Sequence, residues 1–291
     1  MGREKRRKMK GRRFSKRKTL ADRANRHDLY QKAVQAPEAD IEFFSKVFEE
    51  HRGRAPMRMR EDFCGTAYFS TEWCKSHPER TAIGIDLSAE TLQWGREHNL
   101  AVVPEETRAR VELIEGDVRV QPEGLKPADM TCAMNFSYCV FKTRAELLEY
   151  FKAARAGLVE DGVFFCELYG GMEAIQPVED EREVEDFTYI WEQKLYNPID
   201  HSTLCHIHFE FEDGSRMNKA FTYNWRLWTI PELRELLLEA GFTSARVYWE
   251  EVEDEEDSDP DDDELSGTGE YVEVSEVENQ ESWLVYIAAF V

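Results

Sequence analysis

Apolar positions along this chain follow first one period and then another. Within residues 39–50, Ile41, Phe43, Phe44, Val47 and Phe48 fall about one helical turn apart and predict an amphipathic helix. After it the pattern predicts a strand at 57–61, a helix at 67–76, a strand at 82–86, and a helix at 89–99 that Ser88 can cap. A third strand at 111–115 ends in the Gly116-Asp117 turn, and a fourth at 130–135 follows Pro127-Ala128-Asp129. Thr143 and Glu146 have the spacing of a capping box, opening a helix with Leu147, Phe151 and Leu158 on its inner side. Asp161-Gly162 closes that helix before an apolar strand at 163–168. Apolar strands separated by helices predict a parallel sheet covered on both faces.

After Leu168 the period becomes two: residues 187–195, 203–211 and 216–225 read as strands with no helix between them, and Asp213-Gly214 supplies a hairpin turn. This predicts an antiparallel insertion standing over the carboxyl edge of the main sheet. The helical period then resumes, with Thr229 and Glu232 boxing the start of a helix whose Leu233, Leu236, Leu237 and Ala240 form one stripe up to Gly241. Two last strands, 244–249 and 283–290, have no helix between them and should pair antiparallel at an edge. The predicted fold is therefore α/β: a doubly wound, mostly parallel seven-stranded sheet with an antiparallel C-terminal edge hairpin and an antiparallel β insertion after strand five. It divides into a basic tail (1–26), a Rossmann-like core (27–168), the insertion as a substrate cap (169–228), and the end of the core (229–291) with an acidic loop at 250–270. No internal repeat is visible.

Charge changes the picture at two places. Eleven lysines and arginines against a single acid, Glu4, fill residues 2–18, a composition that predicts a disordered tail. Residues 250–264 hold twelve acids and no base, which predicts a solvated loop. The six cysteines have no CxxC spacing, and four lie in apolar runs, as reduced core thiols do. No apolar run approaches the roughly 20 residues of a membrane helix, and the basic N-terminus lacks the apolar stretch of a signal peptide, so a cytoplasmic protein with no membrane contact is expected.

Ligands of open α/β sheets bind at the carboxyl ends of the strands, where strand order reverses. The first such turn is Glu61-Asp62-Phe63-Cys64-Gly65-Thr66-Ala67, and Asp86 closes the next strand 21 residues after Gly65, placed to accept both hydroxyls of a ribose. These residues resemble the first two motifs of the class I S-adenosylmethionine (SAM)-dependent methyltransferase superfamily, over roughly residues 57–168 and more loosely the terminal hairpin. The resemblance implies SAM as cofactor, with Glu61 near the methionine portion, Asp86 and Leu87 at the ribose, and Asp117 and Val118 at the adenine. It likewise implies turn contacts from Phe63, Cys64, Gly65 and Thr66, and Asn135 beside the sulfonium and the acceptor. Of the family's glycine-x-glycine-x-glycine only Gly65 stands here; Phe63 and Ala67 obstruct a dinucleotide's pyrophosphate, whereas SAM carries no phosphate.

Tyr30, Gln31, Val34 and Gln35 lie in a short amphipathic segment that is either a lid over the cofactor or a packing helix. With SAM bound, the methyl carbon is already activated, so positioning and exclusion of water dominate. Acceptor-side candidates are Tyr138, Tyr169, Trp191, Tyr196, His206, His208, Tyr223, Trp225 and Arg226, with Tyr138 and Arg226 as the catalytic candidates. Alternation puts His206, His208 and Glu210 on one strand face and Ile207, Phe209 and Phe211 on the other. The histidines read as solvated strand residues, and with no third ligand at a recognisable spacing no metal is predicted. The leading functional expectation is methyl transfer to a nitrogen or oxygen of a small molecule. The alternatives are an RNA or ribosome-associated methyltransferase using the basic tail to contact nucleic acid, and a non-catalytic interaction protein on the same fold. Oligomeric state is not encoded in any pattern found.

Overall fold

The computed structural model describes residues 18–252 and 267–291. Most of the basic tail and the centre of the acidic stretch lie outside the described residues. In chain order the elements are α1 (Arg26–Val34), α2 (Pro37–Arg52), β1 (Arg58–Asp62), α3 (Tyr68–Ser76), β2 (Thr81–Asp86), α4 (Ala89–Gly95), α5 (Glu105–Arg108), β3 (Val111–Glu115), β4 (Ala128–Ala133), α6 (Arg144–Ala156), β5 (Leu158–Gly170), β6 (Val178–Val184), β7 (Phe187–Asn197), β8 (Ser202–Phe211), β9 (Arg216–Arg226), α7 (Ile230–Glu239), β10 (Ser244–Val252), β11 (Gly267–Val274) and β12 (Trp283–Phe290). Both capping boxes form, at Thr143 with Glu146 and at Thr229 with Glu232.

The main sheet runs β11-β10-β12-β5-β4-β1-β2-β3. β1 pairs in parallel with both β2 and β4, so chain order reverses beside it, while β12 runs antiparallel to β5 and to β10. Among the described residues the sheet has eight strands rather than seven, because Gly267–Val274 returns as an extra edge strand paired with β10, overlapping the end of the span expected to be loop (250–270). Alternation along β5 shows how both faces are covered. Phe164 and Cys166 join Leu147, Phe151, Leu233 and Leu236 under α6 and α7, while Val163 and Phe165 join Phe44, Phe48 and Trp73 under α2 and α3. All six cysteines are buried and unpaired. No helix among the described residues is long and apolar enough to cross a membrane.

The insertion is a separate antiparallel sheet, β6-β7-β8-β9. Its first strand, VEDEREV, carries too many charges to read as a strand; charged side chains suit a sheet edge because they deter a further strand from pairing there. The helix α1 packs on this second sheet, where Leu29 and Ala33 join Phe187, Ile207, Phe209 and Phe211. The tail boundary expected at residue 26 also moves. The Leu20 amide donates to the Asp213 carboxylate (3.0 Å) and the Ala21 amide to the Ser215 hydroxyl (3.1 Å), so residues 20–24 dock on the β8–β9 turn instead of hanging free.

Candidate functional site

The turn after β1 keeps a glycine-loop backbone with few glycines. Phe63, Gly65 and Ala67 take φ of 59°, 52° and 55°, the left-handed region, at the three alternate positions where the resemblance implies glycine. For a non-glycine residue this conformation costs roughly 1–2 kcal/mol, and packing holds it in place. The Phe63 ring lies 5.4 Å from Tyr150 and 5.9 Å from Phe141, and Ala67 is fully buried. Neighbouring glycines let the turn sit close: a Cβ on Gly84 would come within 2.7 Å of the Cys64 sulfur, and one on Gly95 within 2.2 Å of the Thr66 carbonyl.

Asp86 anchors this turn. One of its carboxylate oxygens accepts the Gly65 amide (2.9 Å) and the other the Ser88 amide (2.8 Å), which fixes the group while leaving each oxygen further accepting capacity. Asp86 is partly exposed and Leu87 beside it is 72% exposed, so the end of β2 offers a polar and an apolar contact to a ligand. Asp117 is already engaged: Arg119 donates to it from Nε (3.0 Å) and from its own amide (2.9 Å), holding the carboxyl below its ordinary range. The Val118 and Cys64 side chains are buried in the core, which leaves only their backbones to meet a ligand. Glu61 lies behind the turn, accepting the Ser70 amide (2.9 Å) and hydroxyl, and burial pushes its pKa up to about 8. The sequence reading missed the strut beneath: fully buried Arg60 donates to Asp62 (2.6 Å), to the Val118 carbonyl (2.8 Å) and to Gln121 (2.8 Å), tying β1 to the loop after β3.

Helix α1 reaches over this turn, with Gln31 Nε2 donating to the Thr66 hydroxyl (3.0 Å). Beyond it lies a chamber of about 270 Å³ between the two sheets. Tyr189, Trp191, Ile207, Tyr223 and Trp225 from the second sheet form one wall, Tyr30 and Val34 a second, and Asn135, Phe136 and Tyr169 at the ends of β4 and β5 a third. Trp225 stacks on Tyr223 at 4.2 Å, and the Tyr169 hydroxyl is buried without a partner among the described residues. Asn135 and Phe136 have φ of 54° and 56°, a second strained strand end facing the first. A smaller cavity of about 190 Å³ shares Val34, Asn135 and Phe136 with the chamber and is also lined by Asp40, Glu167 and Tyr286. A wider groove of about 660 Å³ lies between residues 20–35 and Tyr68, Asp186 and Phe211, and is not lined by Asn135, Phe136 or Tyr169.

Neither catalytic candidate lines the chamber or the smaller cavity. Tyr138 is fully buried and its hydroxyl donates to the Glu167 carbonyl (2.5 Å). Arg226 bonds Glu232 (2.8 Å) and the Lys142 carbonyl (3.2 Å) and stacks on Trp228, fastening the second sheet to α7. Tyr196 lies at the β7–β8 hairpin, near His201. His206 and His208 face away from the chamber but are not solvated: they are buried, bonded to Thr222 (2.9 Å) and Glu192 (3.1 Å).

Most of the chain, 91% in each of the three matches that follow, superposes on solved methyltransferases. A SAM-dependent methyltransferase from Clostridium acetobutylicum matches with a TM-score of 0.63 at 15% identity, covering 91% of this chain and 97% of that one. The fold is that of a class I methyltransferase. CalS10, an amino pentose methyltransferase from Micromonospora echinaspora, matches at 0.61 with 16% identity over 91% of this chain and 95% of its own. The sugar N-methyltransferase KedS8 from Streptoalloteichus matches at 0.57 with 15% identity over 91% and 92%. No protein-family model matches the sequence, and no curated protein matches it.

Proposed function

We propose that this protein transfers a methyl group from SAM to a nitrogen or oxygen of a small molecule bound in the aromatic chamber. The observation that carries this reading is the Asp86 carboxylate, pinned to the Gly65 amide beside the point where strand order reverses. Asp86 would hold the ribose, Leu87 would cover apolar adenosine surface, and the backbone of the strained turn would flank the methionine portion. SAM supplies an electrophilic methyl when bound. The task left to the chain is to orient a nucleophile in line and keep water out, which suits a chamber lined mainly by aromatic rings, with Asp180 and Arg182 as its charged lining residues. Two of the structural neighbours are an amino pentose methyltransferase and a sugar N-methyltransferase, which favours a compact polar acceptor with an apolar face.

Titration calorimetry tests the cofactor half directly. Wild type is expected to bind SAM and S-adenosylhomocysteine (SAH), and Asp86→Ala to weaken both about ten-fold or more, as loss of a charge-assisted contact of about 1.5–3 kcal/mol requires. Equal affinities in the two proteins would remove Asp86 from the site. Mass spectrometry of small molecules that co-purify with the protein would then address the acceptor.

A further inference from the structure

The smaller cavity has an unbalanced charge. Two carboxylates line it, Asp40 from α2 and Glu167 from β5, and among its described lining residues there is no lysine, arginine or histidine. Its remaining wall is largely apolar, with Pro37, Phe69, Met134 and Leu284. Glu167 is 7% exposed, and the one hydrogen bond its side chain accepts among the described residues is the Asn135 amide, at 2.9 Å. Asp40 accepts the Tyr286 hydroxyl at 2.5 Å. A carboxylate has about four acceptor positions, so each acid lines the hollow with most of its capacity unused among the described residues. Burial pushes both acids up, and Asp40 raises Glu167 further. Buried acids in this state are relieved by a cation or by holding a proton.

We infer that this cavity is a subsite for a positively charged nitrogen of the methyl acceptor, held between Asp40 and Glu167. The inference rests on the methyltransferase reading above and narrows the acceptor to amines. The cavity adjoins the aromatic chamber at Val34, Asn135 and Phe136, so one molecule can lay an apolar ring on Tyr223 and Trp225 and direct an ammonium toward the acids. The methionine end of SAM is a poor occupant. Its ammonium carries a carboxylate on the same carbon, and that carboxylate would enter a hollow already holding two acids and no base. An amine without a neighbouring carboxylate meets no such repulsion.

The test compares cyclohexylamine with its neutral counterpart cyclohexanol on the SAH-saturated protein, by calorimetry or ligand-observed NMR. The amine is expected to bind at least ten-fold more tightly, and both Glu167→Gln and Asp40→Asn to abolish that preference while SAH affinity stays within about two-fold. Equal binding of amine and alcohol by wild type overturns the inference and leaves a pair that merely shares a proton. A ten-fold loss of SAH affinity in Glu167→Gln also overturns it, because the acids would then serve the cofactor. Failure of wild type to bind SAH at all counts against the methyltransferase reading itself, whereas an amine preference measured without SAH would still uphold the cation subsite. The two variants sit on different elements, so one remains informative if the other fails to fold.

Discussion

The two halves of the site are built from different materials. On the proposed cofactor side the groups are mostly backbone: the amides of Gly65 and Ser88 hold Asp86, and the turn is wedged where a single added Cβ would collide with Thr66. On the proposed acceptor side they are side chains, chiefly rings on the second sheet, which is tied to the core through helices, by Gln31 of α1 to Thr66 and by Arg226 to Glu232 of α7. A site made of backbone constrains its sequence through conformation and close packing. A site made of rings constrains it only to be aromatic, which leaves the ligand's identity open.

The sharpest way to break this comparison is to cut one tie on each side. Arg60→Ala strips Asp62 of its guanidinium partner in a fully buried setting, and Tyr150, which donates to Asp62 at 3.0 Å, cannot neutralise the charge. Breaking such a pair costs about 3–5 kcal/mol. Arg226→Ala removes an ion pair that is partly exposed to solvent, where about 1 kcal/mol is expected, plus its stacking on Trp228. Urea denaturation of both variants should show the cofactor-side change to be the larger by at least two-fold. The opposite order would mean that the second sheet, rather than the β1 turn, dominates stability.

That contrast also explains what could be read in advance. The succession of strands and helices along the chain, both capping boxes and the nearness of Asp86 to Gly65 follow from periodicity and spacing, which are local or depend on regular topology. Arg60 did not reveal itself, because an arginine in a strand ordinarily reads as solvent-facing and its partners lie in β1 itself and in residues 118–121. The edge strands β6 and β11 were hidden by charge, since an edge tolerates acids that an interior strand would not. Tyr138 and Arg226 were chosen for chemical type, yet direction decides their role, and both point into structure. Glu167 sits in the run FFCELYG, where nothing in the sequence distinguishes a covered carboxylate from one aimed into a cavity.

A pH experiment reads an effect of similar size on the same side. Glu61 has its folded pKa raised from 4.5 to about 8 by burial, so between those values the folded state holds a proton that the unfolded chain releases. Stability contributed by this proton is complete below about pH 4.5 and is lost as pH rises toward 8, at up to about 1.4 kcal/mol per pH unit. Glu61→Gln, which imitates the protonated acid, is expected to flatten the fall in stability across that window relative to wild type, measured as urea midpoints from pH 5 to 8. Parallel curves for the two proteins would show that Glu61 ionises as easily folded as unfolded.

The smallest expected effect is the most discriminating for a backbone-built site. Ala67 is fully buried at φ 55°, so Ala67→Gly relieves a left-handed alanine, worth roughly 1–2 kcal/mol. It also loses one buried methyl, worth about 0.8 kcal/mol, and frees the unfolded chain by about 0.5–1 kcal/mol. These terms nearly cancel, and the urea midpoint should barely move. If the turn already has the shape the cofactor needs, SAH affinity should also stay unchanged, because the variant alters strain and not geometry. A ten-fold gain in affinity with unchanged stability would instead mean that alanine holds the turn away from its binding shape. In that case the missing glycines are a functional loss, and the non-catalytic reading of this fold gains ground over the enzymatic one.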